Sequence, residues 1–173
     1  MPELTEYSGE IAAGTFALLL VTAAIWDMAK ARIPNFIPIL MIAGFLVSAI
    51  AGASSLSWES HLAAAGITLV VTVPLFQLGW MGGGDVKLLI TAALWLGLGE
   101  FGYFGLYTAL AGGALALALL SFRPVMTSLK ALPVINNDSP LVERLSKPGK
   151  IPYGVAIAIG GLFLVPEIQN LYS

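Results

Sequence analysis

The chain has 173 residues, of which 58% are hydrophobic and only 10% are charged, and its mean hydropathy is +0.89. A soluble domain carries about a quarter charged residues, so this composition excludes an ordinary soluble domain and predicts an all-α integral membrane protein. The absence of cysteine excludes disulfides, zinc–thiolate sites and cysteine nucleophiles.

Six apolar stretches predict a single domain, residues 1–173, built as a bundle of six transmembrane helices. Their approximate bounds are 9–26, 36–52, 61–79, 86–99, 101–122 and 152–165. The fourth and sixth stretches, at about 14 residues, span only ~21 Å of a ~30 Å hydrocarbon core. Because "MGGGD" and "KIPYG" precede them, we expect both to begin inside a protein-lined cavity.

Charge placement predicts the orientation of the bundle. All basic residues fall in or beside the loops after the odd-numbered stretches: Lys30, Arg32, Lys87, Arg123, Lys130, Arg144, Lys147 and Lys150. The opposite side is acidic. The positive-inside rule therefore places both termini outside and the three basic loops, including the long loop 123–151, in the cytoplasm. That long loop could hold a short surface helix near 141–145 or be a loose connector. On the outer side, Trp58 and Trp95 are expected in an interfacial aromatic belt, and His61 in a solvated loop.

Two aspartates are the candidate chemical groups. Asp27 ends the first stretch in "IWDMAKARIPN", and Asp85 opens the fourth in "GGGDVKLLI". Both lie at the predicted cytoplasmic ends of their helices, where two neighbouring carboxyls could act as an aspartic-protease pair that shares one proton. Alternatively, Asp27 caps a turn with Lys30 or Arg32 as partner, and Asp85 is an ordinary helix N-cap.

The N-cap alternative explains neither the three glycines before Asp85 nor the short fourth stretch. We expect those glycines to let a substrate backbone approach the carboxylate closely.

Other polar residues near the aspartates have two interpretations each. Lys87 could tune the pair or contact an acidic substrate residue, or it could extend to lipid headgroups. Asn35 could bond near the pair or cap the second helix. Tyr153 could line the site or belong to the interfacial belt. The glycine pairs at 112–113 and 160–161 are predicted to permit close helix packing.

Three ordered motifs carry a family resemblance. "GGGD", Gly82 to Asp85, fits the GxGD signature of intramembrane aspartic proteases. Together with "DMAKARIPN" and "IPYGVAIAIG", it makes the sequence similar to the type IV prepilin peptidase family over all six stretches. The resemblance implies that Asp27 and Asp85 are the catalytic residues. It also implies a set of residues that shape the site or bind substrate: Gly82, Gly83, Gly84, Lys87, Pro34, Asn35, Pro152, Tyr153 and Gly154.

In that family the substrate is a prepilin with a basic leader before a hydrophobic helix. The resemblance implies an aspartic endopeptidase in the bacterial inner membrane that cuts such leaders at the cytoplasmic face. It implies no metal or organic cofactor and no nucleic-acid partner, but contact with membrane lipids and association with pilus or secretion machinery.

The first cytoplasmic loop departs from the longer family members. It consists only of "DMAKARIPN", without the large insertion and paired CxxC motifs of the bifunctional enzymes. The chain therefore resembles the short peptidases of Flp (tight-adherence) pili, and methyltransferase activity is not expected. The alternatives are a preflagellin or signal-peptide-peptidase-like GxGD protease, or a small proton-coupled transporter, which would place its aspartates near mid-bilayer.

Overall fold

The computed structural model describes residues 2–52, 56–130 and 152–172, and every regular element in these segments is a helix. The helices are α1 (Pro2–Lys30), α2 (Phe36–Gly52), α3 (Trp58–Gln77), α4 (Gly83–Lys130), α5 (Tyr153–Leu162) and α6 (Val165–Leu171). The all-α prediction is confirmed for these residues. Helix α4 continues to Lys130, so it enters the loop predicted from residue 123. The surface helix suggested near 141–145 lies outside the described residues.

Three of these helices contain segments that are long and apolar enough to cross a membrane: Tyr7–Lys30, Trp58–Gln77 and Gly83–Phe122. Helices α5 and α6, bent by 51° at the short break between them, make a fourth candidate if they count as one span. Helix α2 is apolar but shorter, with 17 residues. The described residues thus contain three to four candidate spans, while the six-span topology and its orientation remain predictions.

Helix α4 is broken at Gly97, where φ is 68° and ψ is −177°. A straight helix would place Gly112 about 42 Å from Gly84, at 1.5 Å per residue. Instead, Gly112 faces Ala156 near the start of α5, and Ile33 contacts the beginnings of both α4 and α5. The chain therefore turns back at Gly97, close to the boundary that the sequence predicts between the fourth and fifth stretches.

Side chains from other elements bond to the backbone around this break. The bonds are His61 Nδ1 with Leu94 O (2.7 Å), Leu98 N–H to Ser60 Oγ (2.9 Å) and Tyr172 Oη–H to Trp95 O (3.2 Å). His61 is only 1% exposed and lies in the first turn of α3. Its prediction as a solvated loop residue is wrong, because its ring packs beside Gly97 and bonds a carbonyl there.

Trp95, two residues before Gly97, lies at the centre of the core near the break in α4. It is fully buried, and its indole N–H donates to Met41 O at 2.8 Å. Its ring also packs against Phe16, with ring centroids 5.4 Å apart. A β-carbon on Gly44 would lie 3.1 Å from the indole, so α2 approaches closely there. The prediction of Trp95 in an interfacial belt is therefore wrong, whereas Trp58 is 42% exposed.

Two of the four paired glycines permit close helix packing, as predicted. A β-carbon on Gly160 would overlap Thr108 of α4, and one on Gly161 would lie 2.5 Å from Leu20 of α1. At Gly112 an added β-carbon would make only ordinary contact with α5, and at Gly113 it would meet nothing within 4 Å. Helix α5 is thus held close to both α1 and the second half of α4, which fixes the position of its first turn.

Candidate active site

Asp27 lies one turn before the end of α1 and is 7% exposed. The helix ends just beyond it, where Ala31 adopts a positive φ of 49° and donates its N–H to Asp27 O at 2.8 Å. The carboxylate is held from across the bundle, because Gly154 N–H donates to Asp27 Oδ2 at 2.9 Å. A buried carboxylate bonded by an N–H from the first turn of another helix is fixed in position and charge-stabilised.

Gly154 has no room for a side chain. A β-carbon there would lie 2.8 Å from Asp27 Oδ2, 3.0 Å from Asp27 Cβ and 2.9 Å from Ile33 Cδ1. Glycine is therefore the residue that lets the α5 backbone reach the carboxylate. This gives the Pro-Tyr-Gly element a physical role: its glycine carries the N–H that bonds Asp27.

Asp85 lies in the first turn of α4 and is not its N-cap. The helix begins with the bond from Val86 N–H to Gly82 O at 3.1 Å, which makes Gly82 the capping residue. The Asp85 carboxylate reaches back and accepts the backbone N–H of Gly82. This is the return half of a capping box, in which the third helical residue satisfies the N–H of the cap. Asp85 also interacts electrostatically with Asp27, so the two carboxylates are close enough for the charge of one to act on the other.

The three glycines before Asp85 are closely packed by the protein's own atoms. A β-carbon on Gly84 would lie 3.0 Å from Ile33 Cβ, and one on Gly83 would lie 3.2 Å from the ring of Phe76. The corresponding atom on Gly82 would lie 2.8 Å from Asp85 Oδ2. The glycines therefore allow the turn to pack closely against α3 and the α1–α2 loop. The space beside Gly83 and Gly84 is filled by the protein's own atoms, whereas the sequence predicts open space for a substrate backbone.

Ile33 joins the three motifs. It is 5% exposed, and it contacts Gly84 of the GxGD turn through its backbone and Cβ and Gly154 of α5 through Cδ1. Since Gly154 also bonds Asp27, one aliphatic side chain connects both aspartate-bearing segments with the start of α5. The sequence motifs that are far apart along the chain thus meet at one end of the bundle.

The remaining predicted site residues lie around this junction. Lys87 Nζ donates to Asn35 Oδ1 at 2.9 Å, so Asn35 bonds to α4 across the loop, and its backbone carbonyl accepts Ile39 N–H at 3.3 Å at the start of α2. Pro152 is the N-cap residue of α5, and its carbonyl accepts Val155 N–H at 3.1 Å. Tyr153 is 40% exposed and is the first residue of α5.

A pocket of about 370 Å³ lies in the turn between α1 and α2. Its lining residues are Trp26, Lys30, Arg32, Ile33, Pro34 and Asn35. The Lys30 ammonium lies 4.5 Å from the ring centroid of Trp26, a cation–π contact. Pro34 and Asn35 thus form a wall of this pocket as well as part of the predicted motif.

The site also depends on residues that the sequence interpretation did not select. Helix α3 ends in a Schellman motif: Gly79, at φ 73°, donates to Phe76 O, and Trp80 N–H donates to Leu75 O, both at 3.0 Å. This turn presents Phe76 to the GxGD glycines. A glycine just past an apolar helix is a recognisable C-cap signal, but nothing in the sequence indicates that Phe76 covers Gly83.

Chemically, the junction offers two carboxylates that interact electrostatically, and each accepts a backbone N–H. Among the described residues, no group of three or more His, Cys, Asp or Glu side chains is placed to hold a metal ion. Two carboxylates of this kind can divide general-acid and general-base roles on a water molecule.

The sequence model of a family described as the type IV leader peptidase family matches residues 14–117. The matched segment contains both aspartates and ends before the Pro-Tyr-Gly element. No curated protein and no solved structure gives a significant match to this chain.

Proposed function

Because the chain belongs to the type IV leader peptidase family, we propose that it is a membrane-embedded aspartic endopeptidase with Asp27 and Asp85 as its catalytic pair. Family membership implies peptidase activity, and the apolar helices indicate a membrane protein. The aspartic mechanism, the prepilin-like substrate and the cytoplasmic site are the parts that we add.

One observation supports the proposal: Ile33 contacts both Gly84 of the GxGD turn and Gly154, and Gly154 N–H donates to Asp27 Oδ2. The two aspartates are 58 positions apart in sequence, and they belong to different helices. A capping role explains the bond from Gly82 to Asp85. It does not explain why a second, buried carboxylate interacts electrostatically with the first.

The proposed reaction is hydrolysis of one peptide bond by water. The ionised carboxylate takes a proton from the attacking water, whose oxygen bonds to the carbonyl carbon, while the protonated partner donates to the carbonyl oxygen. Collapse of the tetrahedral gem-diol breaks the C–N bond. The leaving nitrogen takes a proton from the pair, and a hydroxyl of the intermediate returns a proton to the pair as the carbonyl re-forms. The two carboxyls share one proton, so the titration belongs to the pair and neither aspartate has a role of its own in the resting state.

The position of the site fits a substrate with a polar leader and a hydrophobic helix. Asp27 and Asp85 lie near the ends of their helices, and the basic residues Lys30, Arg32 and Lys87 surround the same end. The positive-inside rule assigns such an end to the cytoplasm. A scissile bond between leader and helix would lie at this depth, whereas a transporter would place its acids near mid-bilayer. The short α1–α2 loop favours a substrate of the Flp prepilin type.

The test is co-expression with a Flp-type prepilin, followed by detection of leader removal by gel mobility and mass spectrometry. We expect wild-type protein to cut, and Asp27→Asn and Asp85→Asn to lose about 10²–10⁴-fold in rate, the usual contribution of a general acid or base. The matched control is Glu59→Gln, an acid-to-amide change at an exposed position in the first turn of α3. It should cut like wild type.

Equal melting temperatures of the purified variants in detergent would show that lost activity is not lost folding. Full processing by either asparagine variant would refute the catalytic pair. Intact prepilin with the wild-type protein would refute the substrate assignment instead. A reporter fused after Lys150 tests orientation, because the proposal requires a cytoplasmic signal there.

A further inference from the structure

The pocket between α1 and α2 has a composition that the proteolytic mechanism does not use. Its charged lining residues, Lys30 and Arg32, are both basic, and no acidic side chain lines it among the described residues. Lys87 adds a third positive charge at the far side of Asn35, to which it donates a hydrogen bond. The pocket is therefore a concave, positively charged site of about 370 Å³.

Both cations of the pocket are exposed. Lys30 is held over the face of Trp26, and Arg32 is exposed. A cation–π contact orients an ammonium and leaves its N–H donors available to an anion. A guanidinium presents a planar fork of donors that fits phosphate oxygens. Together they offer donors of the kind that binds a phosphate group.

The surroundings of the pocket are apolar and exposed. The pocket lies at the end of the candidate span Tyr7–Lys30. On the same helix Ile25 is 59% and Met28 is 50% exposed, and Phe36, at the start of α2, is 45% exposed and packs edge-on against Trp26. A ligand in this pocket would have a polar site for its head and apolar side chains beside it.

We propose that this pocket binds the phosphate headgroup of an anionic phospholipid. Lys30 and Arg32 contact the phosphate, Trp26 and Asn35 form the walls, and the acyl chains lie along the exposed face of α1 and α2. Basic pockets at the cytoplasmic ends of transmembrane helices are suited to anionic headgroups. The bound lipid would stabilise the 31–35 loop, which carries Ile33 into contact with Gly84 and Gly154.

The experiment measures lipid retention by native mass spectrometry of the purified full chain in neutral detergent. Phosphatidylglycerol and phosphatidylcholine of identical acyl chains are titrated in parallel. A cation near the headgroup contributes about fivefold to binding, so we expect Arg32→Gln to retain the anionic lipid about fivefold more weakly and Lys30→Gln/Arg32→Gln about 30-fold more weakly. The control Glu59→Gln changes one charge at an exposed position in the first turn of α3, away from the pocket lining, and should retain it like wild type.

A second arm distinguishes the lipid from free phosphate. Inorganic phosphate at constant ionic strength should not raise the melting temperature, whereas phosphatidylglycerol should raise it in wild type and in the control, but not in the double pocket variant. Neither readout depends on proteolysis, so the result stands even if no prepilin is cut. Equal retention of the two lipids would overturn the proposal. So would retention by the double pocket variant within twofold of wild type, or an equal effect of phosphate alone.

Discussion

The substitution Gly154→Ala tests whether the start of α5 positions Asp27. The added methyl group would lie 2.8 Å from Asp27 Oδ2 and 2.9 Å from Ile33 Cδ1, well inside van der Waals contact. Gly154 is buried, and α5 packs tightly on α1 and α4 through Gly160 and Gly161, so the helix cannot simply move away. The carboxylate or the helix must shift, and the 2.9 Å bond from Gly154 N–H must lengthen.

The magnitude follows from two contributions. Inserting a methyl group into a packed interior costs about 1–3 kcal/mol. Weakening a hydrogen bond to a charged group costs up to about 1.5–3 kcal/mol. We therefore expect Gly154→Ala to lower the free energy of unfolding by about 2–5 kcal/mol. A displacement of a catalytic group by about 1 Å lowers the rate about 100-fold, so we expect leader cleavage to fall by that factor.

The assay combines thermal melting of the purified protein in detergent with the rate of prepilin cleavage below the melting temperature. The matched control is Gly105→Ala, at an exposed position of α4 where a β-carbon would meet nothing within 4 Å. This control should melt at the wild-type temperature or slightly above, because alanine is the better helix former by up to ~1 kcal/mol. Its cleavage rate should be unchanged.

Wild-type cleavage by Gly154→Ala would refute the positioning argument, since Asp27 would then tolerate an atom where none fits. The double variant Gly154→Ala/Ile33→Val tests the two contacts of the added methyl group separately. It removes Cδ1 and with it the 2.9 Å contact, but not the contacts with Asp27. Partial recovery of stability without recovery of the cleavage rate is the expected result.

Three further substitutions test the turn, the core and the polar contact beside the site. Gly97→Ala should lower the free energy of unfolding in detergent by about 1–3 kcal/mol, because φ is +68° there and alanine is strained in that region. Trp95→Phe removes the buried indole N–H bond to Met41 O and should cost about 0.5–1.5 kcal/mol, seen as a lower melting temperature. Lys87→Met breaks the exposed bond to Asn35, which we expect to lower the prepilin cleavage rate less than tenfold with little change in melting.

Two of these substitutions have a matched control, and each of the three has an outcome that would contradict it. Gly102→Ala, in open space on α4, should not destabilise, and an equally harmless Gly97→Ala would refute the strain argument. Trp58→Phe, at a partly exposed ring, should cost less than Trp95→Phe, and the reverse order would contradict the burial argument. Abolished cleavage in Lys87→Met would show that this residue acts in the chemistry, beyond its contact with the loop.

Much of the architecture could be predicted from the sequence because it depends on local properties. Apolar stretches of helical length predict membrane helices. The observed helices begin within two turns of the predicted stretches for α1, α2, α3 and α5. The break in α4 at Gly97 lies two residues before the predicted end of the fourth stretch at residue 99. The candidate aspartates could be predicted too, because a carboxylate at the end of an apolar stretch is costly to bury and is therefore a candidate functional group.

What the sequence could not determine are the contacts between segments distant along the chain. Burial of His61 and Trp95 follows from packing around the Gly97 turn, whereas their positions near helix ends suggested solvent or interface. The close packing of Gly83 and Gly84 by Phe76 and Ile33 was likewise not predictable, because a glycine's local freedom does not reveal which atom occupies the space beside it.

By itself, then, the sequence determined that this protein is a helical membrane protein with two candidate catalytic carboxylates at one end, because hydropathy and charge act residue by residue. Only the tertiary structure decided how those carboxylates are held. The Gly154 N–H on Asp27 and the Ile33 contact with Gly84 exist because three helices and a loop pack at spacings that no single segment specifies. The physical reason is that packing and hydrogen bonding depend on the distances between segments, and these are set by the whole fold.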